Sequence, residues 1–313
     1  MTALRPAVSV VLVSDYGAGD PKGWDDLRGT LAALARQDFS GLAEFILSEN
    51  VEFAGSIPPD LIALLPSLRL VCSPGRSSYE LKNHGVAEAS ADIVVILDAD
   101  CRPDPDYLTR LVAAFQAHPE ADVISGHTNY EGRNSGERVL ALLCRSYVDP
   151  GPKGVTPFIS NNNAGWKRSV YLAHPLPAGL GAFAARIQSE SVRRAGGVMR
   201  FDPTVRAIHE FEGWRMEKDI RRNSGFGTVI TRLRDPRLPY AWLIRRGWLS
   251  IPFIVAGKTW NAWRDCVRCW RRFRVRWYEL PIALLAAPVL IAMETPGMWA
   301  AYAQREVTET AYR

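Results

Sequence analysis

The sequence is poor in cysteine and has no uninterrupted apolar run of membrane-spanning length. Its five cysteines are odd in number and scattered over 313 residues, unlike the paired cysteines of a disulfide-stabilised secreted domain. The most apolar run, from Leu280 to Met293, has fourteen residues, whereas a transmembrane helix needs about 20. Its continuation to Tyr302 is interrupted by Glu294 and a Pro-Gly pair. A protein of a reducing compartment is therefore expected.

Motifs that define several other classes of protein are also missing. The chain has no Gly-rich N-terminal phosphate loop of a nucleotidyltransferase, no internal repeat and no recognisable nucleic-acid-binding module, so nucleic acid is not an expected partner. The Cys266-x-x-Cys269 pair lacks the further ligands that a zinc site requires. The first apolar run turns polar at Asp15 without a cleavage pattern, which predicts a strand and not a signal peptide. These features favour a cytoplasmic location.

Charge is distributed very unevenly along the chain. The formal net charge is +5, yet residues 236–276 carry ten Lys and Arg against one acid, Asp265, and the rest carries 28 basic and 32 acidic residues. Six of the ten tryptophans lie between Trp242 and Trp277. We therefore divide the chain into a main domain, residues 1–235, and a basic, Trp-rich and apolar helical extension, residues 236–313.

Apolar runs of strand length alternate with helical periodicity in the main domain, which predicts an α/β fold with a mostly parallel sheet. Strands are predicted at 8–14, 45–50, 68–73, 93–97, 198–201 and 205–208, and helices at 77–89, 167–172, 183–195 and 214–234. Residues 131–157 are rich in Gly and Pro, so a mobile, lid-like loop is expected there.

The strongest strand, Ile93 to Leu97, stops at the acidic turn Asp98-Ala99-Asp100. Ligands of open parallel sheets bind beyond the carboxyl ends of the strands, where this turn must lie. Two carboxylates can hold Mg²⁺ or Mn²⁺ together with the diphosphate oxygens of a ligand, or one can accept from a ribose hydroxyl. The alternative is that both residues only form the turn and cap the next helix.

Several segments together resemble family 2 glycosyltransferases. The segment LRLVCSPGRSSYELKNHGVAEASADIVVILDADCRPDPDYL resembles the middle of that family's pattern, and Asn161 to Arg168 and Arg193 to His209 resemble its later landmarks. The resemblance spans roughly residues 8–210. It implies a GT-A fold, the Rossmann-like architecture of nucleotide-diphospho-sugar transferases, and an inverting, Mg²⁺- or Mn²⁺-dependent transfer from a nucleotide sugar to a glycan or lipid-linked acceptor.

The resemblance also assigns expected roles to individual residues. Asp98 matches a ribose or metal carboxylate, Asp100 the metal ligand, and His209 a late histidine that approaches the metal or the diphosphate. Glu49 stands where the family has an acidic residue near the nucleoside. Arg76 and Lys82 are further donor-binding candidates that can pair with the diphosphate. For Glu49, Arg76 and Lys82, a solvated surface charge is the simpler alternative, and for His209 it is a structural role.

The chain departs from the family pattern at the catalytic base. The family's Glu-Asp pair, whose Asp deprotonates the acceptor hydroxyl, falls on Ala184-Ala185. A hydroxyl nucleophile needs a base within hydrogen-bond reach, and Glu190 is the nearest candidate, ahead of Asp202 and Glu210. The plain alternative for Glu190 is a surface helix residue paired with Arg186 or Arg194 at i, i+4. Three interpretations stay open. The enzyme uses a displaced base, its acceptor already carries the nucleophilic charge, or the chain is a degenerate nucleotide-sugar-binding or scaffold protein.

The extension combines residues that favour a membrane surface. Tryptophan prefers the bilayer interface, and Arg and Lys prefer anionic headgroups. Peripheral attachment to the cytoplasmic face of a membrane is therefore expected, which would suit a lipid-linked acceptor. The alternative is that the apolar stretch packs on the main domain or forms a dimer contact.

Overall fold

The computed structural model describes residues 5–14, 21–74, 77–180, 183–211 and 214–303, without the side chains of 21–23, 215 and 216. One nine-stranded sheet has the order β3-β2-β1-β4-β8-β6-β9-β5, and β7 pairs with β9. Its strands are β1 Val8–Val13, β2 Ala43–Asn50, β3 Leu68–Ser73, β4 Ile93–Asp98, β5 Cys101–Pro103, β6 Val123–Asn129, β7 Gly154–Val155, β8 Asn163–Lys167 and β9 Met199–His209.

Helices cover both faces of this sheet and form the C-terminal part of the chain. They are α1 Pro21–Leu34, α2 Pro59–Leu64, α3 Ser78–Glu88, α4 Tyr107–Ala117, α5 Ser135–Arg145, α6 Arg168–Ala173, α7 Ala184–Arg194, α8 Trp214–Arg234, α9 Ala241–Ile244, α10 Ile251–Cys269, α11 Leu280–Ala292 and α12 Thr295–Tyr302.

Strands β3, β2, β1 and β4 form a parallel half-sheet, as predicted. Its central strands are continuously apolar because both faces are covered. Leu12 and Leu97 pack under α1 and α4 on one face, and Val11 and Ile96 pack under α3, α6 and α7 on the other. The carboxyl ends of these strands therefore form one edge at which polar residues gather.

Beyond β4 the sheet is mixed. Strand β8 runs antiparallel to β4 and β6, and β9 pairs in parallel with β6 across a register shift at Gly126/His127. The prediction of two short strands at 198–201 and 205–208 is wrong, because β9 is one strand of 11 residues. Its residues Asp202, Pro203 and Thr204 resemble a turn in sequence, and they fall at the register shift between β9 and β6.

The prediction of a loop throughout 131–157 is also wrong, because the segment contains helix α5. Asn134 caps the helix by accepting from the backbone N–H of Glu137. The buried face of α5, including Val139 and Leu142, packs against Phe273 and Leu290 of the C-terminal helices. The helix is thus stabilised by contacts with residues more than a hundred positions away.

Helices α8 and α12 pack so closely that their glycines touch backbone atoms. A Cβ on Gly225 would lie 2.0 Å from the carbonyl oxygen of Glu294, and one on Gly297 would lie 1.8 Å from that of Arg222. Glu294 is buried and pairs with Lys258 and Arg221. In the described part of the chain, Trp277–Tyr302 is the one segment long and apolar enough to cross a membrane. One side of this segment is therefore attached to the rest of the protein.

The surface of the C-terminal helices carries most of the exposed aromatic residues. Seven of the ten tryptophans are at least 39% exposed, and all seven lie in residues 214–299. Exposed Phe253, Trp260 and Val267 recur every seven residues along α10. Exposed Ile282, Leu285 and Val289 form a stripe along the neighbouring helix α11. We call these six residues the apolar face.

Candidate active site

The acidic turn lies where β4 leaves the sheet. Asp98 pairs with Val13 of β1, and the N–H of Ala99 donates to the Val13 carbonyl oxygen at 3.1 Å. From α1, the hydroxyl of Thr30 donates to the carbonyl oxygen of Ala99 at 2.6 Å. Neither carboxylate caps a helix, since α4 begins only at Tyr107. The position of the turn is thus set by hydrogen bonds of its backbone.

Strand β9 brings His209 to this turn. Cys101 of β5 pairs with His209, and the N–H of Glu210 donates to the carbonyl oxygen of Asp100 at 3.1 Å. As a result, ligand atoms of Asp98, Asp100, Cys101 and His209 all lie within 4.8 Å of one another, and all four residues are buried. The structure thus brings together the three residues predicted to hold a metal and adds the Cys101 thiol, which the sequence analysis did not include.

The surroundings of His209 favour a neutral ring. Burial and the positive charge of Arg145 lower the pKa of His209 well below its usual value, although a hydrogen bond to the Glu210 carbonyl oxygen opposes them. That hydrogen bond joins Nδ1 to a carbonyl oxygen at 2.6 Å, so Nδ1 carries the proton and Nε2 keeps its lone pair. Nδ1 also lies 3.1 Å from Oδ2 of Asp100. A neutral imidazole of this kind can ligate a metal.

Lys82 and Asp98 form a buried ion pair with Nζ 2.5 Å from Oδ1. The ammonium group also lies 5.1 Å from the centre of the Tyr79 ring. Lys82 is placed by α3, whose capping box joins Ser77 and Glu80. The solvated-charge alternative for Lys82 is therefore wrong, because the side chain lies inside the site.

Glu49 lies at the end of β2, beside the end of β1. Its carboxylate accepts from the Ser14 hydroxyl and from the N–H of Asn50. Burial raises the pKa of Glu49 despite both hydrogen bonds. A buried carboxylate at this sheet edge suits a ligand that donates hydroxyl or amine hydrogens. Because Glu49 is buried, the alternative of a solvated charge at the end of a strand is excluded. Arg76 lies outside the described residues.

The three candidate bases differ in their partners. Glu190 on α7 pairs with Arg193 and Arg194, each at 2.8 Å. Burial raises the pKa of Glu190, but these hydrogen bonds outweigh it and leave the pKa below its usual value. Asp202 is buried and pairs with Lys153 at 2.7 Å. Glu210 lies next to the metal candidates and pairs with Arg102 at 3.1 Å.

The sequence analysis missed Arg145, which lies beside the acidic cluster. Its guanidinium carbon is 5.4 Å from the centre of the Tyr130 ring, and that ring lies 5.9 Å from the ring of His209. Arg145 ends α5, inside the segment predicted to be a loop. The helical spacing of Val139, Leu142 and Leu143 was the signal that could have revealed the helix.

The donor set of the cluster fits a divalent cation. Carboxylate oxygens suit Mg²⁺ and Mn²⁺, and a neutral imidazole is acceptable to Mn²⁺. The buried position of Asp100 and His209 at a sheet edge would hold such an ion against a diphosphate. The Cys101 thiol, which lies 3.6 Å from Oδ1 of Asp100, is too soft a ligand to be preferred by either ion.

Comparison with known proteins finds a family match and similar solved structures. Residues 79–173 match the family described as glycosyl transferase family 2. The structure matches that of a mannosyltransferase, PcManGT from Pyrobaculum calidifontis, in complex with GDP-Man and Mn²⁺. The TM-score is 0.60 at 18% sequence identity, over 96% of this chain and 87% of that chain. No curated protein matches the chain with significant sequence similarity.

Proposed function

Since the chain carries a family 2 glycosyltransferase domain on a GT-A fold, as its motifs predicted, we propose that it transfers a sugar from a nucleotide-diphosphate donor to an acceptor, with inversion. The observation that carries this proposal is the buried cluster of Asp98, Asp100 and His209 at the carboxyl end of β4. The mannosyltransferase of the same fold binds a GDP-sugar and Mn²⁺, which supports a nucleotide-sugar donor for this chain.

We assign the residues of the sheet edge to the donor. Asp100, His209 and Asp98 would hold Mn²⁺ or Mg²⁺, and the ion would stabilise the departing nucleoside diphosphate. The ammonium group of Lys82 would bind the diphosphate as well as Asp98, because it extends from α3 to the acidic turn. Glu49 would accept from the nucleoside. Arg76 remains a donor-binding proposal from the sequence alone.

For a hydroxyl acceptor, Glu190 is the proposed base. It must then exchange part of its bonding with Arg193 and Arg194 for the acceptor hydroxyl. With such an acceptor, Glu190→Gln is expected to slow turnover by about 10²- to 10⁴-fold, the usual contribution of a general base. Donor affinity should stay unchanged. An unchanged rate would exclude Glu190 as the base.

A thermal-shift screen tests the donor site. The purified protein is heated with UDP-, GDP- and dTDP-sugars, each with and without Mn²⁺. One nucleotide class is expected to stabilise the protein only when the metal is present, by about 2.7 kcal/mol at 100 times its dissociation constant. No stabilisation by any donor would contradict the proposal. Metal-dependent binding without turnover on any acceptor would favour the scaffold alternative.

We further propose that the extension, residues 236–313, binds a membrane surface through the apolar face. Trp263 joins the two helices of this face, because its Nε1 donates to the Leu284 carbonyl oxygen at 2.8 Å. Helix α10 and the residues that flank it in sequence carry exposed arginines, among them Arg245, Arg246, Arg264, Arg268 and Arg271. Exposed apolar side chains bordered by arginines suit the interface of an anionic bilayer.

The position of Glu294 favours attachment along the surface over a span. This buried carboxylate lies within the apolar segment and pairs with Lys258 and Arg221. A span would break both pairs and leave charges in the hydrocarbon core, which is costly. A cytoplasmic, peripheral location and a lipid-linked acceptor would follow from surface attachment.

Sedimentation with vesicles tests this surface. The protein is expected to bind vesicles that contain phosphatidylglycerol more tightly than neutral phosphatidylcholine vesicles. Trp260→Glu with Leu285→Glu should abolish binding, whereas Leu42→Glu, at an exposed apolar position of the main domain, should not. A different result would assign the face to a second copy of the chain: the wild type forms a dimer in gel filtration and binds no vesicles, and the double variant is a monomer.

A further inference from the structure

Cys101 is a buried thiol at the acidic turn for which the proposed donor site has no use. Its ligand atom lies within 4.8 Å of those of Asp98, Asp100 and His209. We call these four residues the four-residue cluster. Cys101 and His209 lie directly opposite each other in the antiparallel pair of β5 and β9, and residues paired in this way project their side chains from the same face of a sheet. The fold therefore brings a thiol and an imidazole together beside two carboxylates.

The spacing within the cluster suits a tetrahedral zinc ion. Sγ of Cys101 lies 3.6 Å from Oδ1 of Asp100. Zinc bonds of about 2.3 Å to sulfur and about 2.1 Å to oxygen, at the tetrahedral angle, place those two ligand atoms about 3.6 Å apart. The measured distance from sulfur to oxygen thus matches one edge of a zinc tetrahedron.

The mixture of donor atoms distinguishes between metal ions. Mn²⁺ and Mg²⁺ prefer oxygen ligands, whereas thiolate and imidazole together favour zinc. Zn²⁺ also stands above Mn²⁺ in the general order of affinities for a given site. Two carboxylates, one imidazole and one thiolate supply four ligands, the number that completes a closed zinc site. For Mn²⁺ the same cluster offers only three suitable ligands, and the other positions are left to the diphosphate.

The charge of the site depends on the ion that it holds. With Mn²⁺ and a protonated thiol, the two carboxylates balance the metal, and Lys82, which pairs with Asp98, adds one positive charge. Zn²⁺ binding releases the thiol proton to the solvent, so the thiolate cancels the charge of Lys82. An anionic diphosphate is therefore attracted to the manganese form and not to the zinc form.

The other cysteines do not offer a comparable site. In the part of the chain that the structure describes, the four-residue cluster is the one group of three or more His, Cys, Asp and Glu side chains spaced to hold a metal. Cys266 and Cys269 lie in the apolar contact between α5 and the C-terminal helices, and Sγ of Cys269 accepts from Arg272 at 2.9 Å. Cys72 is exposed on β3. Tight zinc binding is therefore expected at the acidic turn.

We propose that the four-residue cluster binds Zn²⁺ as a closed site, and that this zinc form excludes the nucleotide-sugar donor. This inference rests on the proposed donor site and adds a regulation of it. The zinc form has no coordination position left for a diphosphate oxygen, and it lacks the positive charge that attracts one. Zn²⁺ is thus a competitor of Mn²⁺, and Cys101 is the residue that makes the competition effective.

The first test measures zinc affinity by competition with a chromophoric chelator. Cys101→Ser should weaken Zn²⁺ binding by more than about 100-fold, because it removes a direct ligand. Cys72→Ser, which removes an exposed thiol, is the control and should bind Zn²⁺ as the wild type does. Mn²⁺ affinity, measured by electron paramagnetic resonance, should change little in both variants, since Mn²⁺ prefers oxygen ligands.

The second test uses Co²⁺, which adopts zinc sites and shows a charge-transfer absorption band when a thiolate is a ligand. The wild type and Cys72→Ser are expected to show this band at one equivalent of Co²⁺, and Cys101→Ser is not. A band of equal intensity in Cys101→Ser would assign the cobalt to another thiol and overturn the proposal.

The third test measures exclusion of the donor. The nucleotide sugar selected by the thermal-shift screen is added with Mn²⁺ alone or with Mn²⁺ and one equivalent of Zn²⁺. In the wild type, Zn²⁺ should release Mn²⁺ into solution and abolish the stabilisation that the donor adds. In Cys101→Ser, the same amount of Zn²⁺ should leave both signals in place. Undiminished stabilisation of the zinc-loaded wild type by the donor would overturn the exclusion.

The outcomes separate this inference from the proposed function. Equal zinc affinities of the wild type and Cys101→Ser, with donor binding that still requires Mn²⁺, would overturn the zinc site alone. Failure of every donor to bind with Mn²⁺ would instead overturn the proposed function. Cys101 is also part of the apolar core beside Leu27 and Tyr107, so circular dichroism and the metal-free thermal midpoint show whether Cys101→Ser is folded. Cys101→Ala takes its place if it is not.

Discussion

The contact between α8 and α12 decides whether the apolar segment Trp277–Tyr302 belongs to the folded protein, and Gly297→Ala tests it. The new Cβ would lie 1.8 Å from the carbonyl oxygen of Arg222 and 2.8 Å from the N–H nitrogen of Phe226. Both are backbone atoms, which cannot rotate away. To restore an ordinary contact, the helices must separate by about 1.5 Å, and that separation weakens the dispersion contacts along both helices.

Overpacking of this kind costs about 1–3 kcal/mol, and the rigid backbone places Gly297→Ala near the upper limit. The thermal midpoint should fall by about 4 °C. Gly257→Ala on α10 is the control, since its Cβ would meet nothing within 4 Å. That change should stabilise the protein by up to about 1 kcal/mol through helix propensity. Denaturant unfolding followed by circular dichroism measures both, and the same sign for both would refute the packing of α12 on α8.

Three further variants test ion pairs and buried charge. The hydrogen bond from Arg138 lowers the pKa of Glu279 to about 2. The ion pair therefore stabilises the protein fully above pH 4.5, and this stabilisation is lost as the pH falls to about 2. Glu279→Gln should cost about 3 kcal/mol at pH 7 and little at pH 2, as measured by urea unfolding. Burial raises the pKa of Glu49, which means that its charged form destabilises the folded protein. Glu49→Gln should therefore raise the thermal midpoint at pH 7 and leave it unchanged below pH 4.5. The same variant should bind the nucleotide more weakly. Lys82→Met leaves the Asp98 charge unpaired and should cost about 3–5 kcal/mol, and Mn²⁺ should stabilise this variant more than the wild type.

Each of these variants has an outcome that contradicts its reasoning. A constant difference between Glu279→Gln and wild type from pH 7 to pH 2 would show that the ion pair does not titrate. A lower thermal midpoint for Glu49→Gln would mean that the charged carboxylate is well solvated. Equal Mn²⁺ stabilisation of Lys82→Met and wild type would place the metal away from Asp98.

Features with local causes were predictable from the sequence. Strand β3 has the predicted limits, and β4 ends at the acidic turn as expected because an apolar run there meets two aspartates. Helix α8 also has its predicted limits. Asp98 and Asp100 were predicted as a pair, and they are in place because one tight turn holds both.

Features that depend on distant contacts were not predictable. Helix α5 was expected to be a loop because its Gly- and Pro-rich flanks dominate the local pattern, while its stability comes from α10, α11 and Phe273. Cys101 lies beside the candidate metal ligands because β5 pairs with β9 far along the chain. Arg145 carries no local signal, since its surroundings are visible only in the folded chain.

The most direct test of the account is Mn²⁺ binding, measured by electron paramagnetic resonance in the presence of the nucleoside diphosphate selected by the screen. Wild type and Asp25→Asn, a control at an exposed acid on α1, are expected to bind one Mn²⁺ equally well. Asp100→Asn and His209→Gln should each weaken binding by more than about 100-fold, since they remove direct ligands and not outer partners. Undiminished Mn²⁺ binding by both variants would contradict a metal-dependent donor site at this turn.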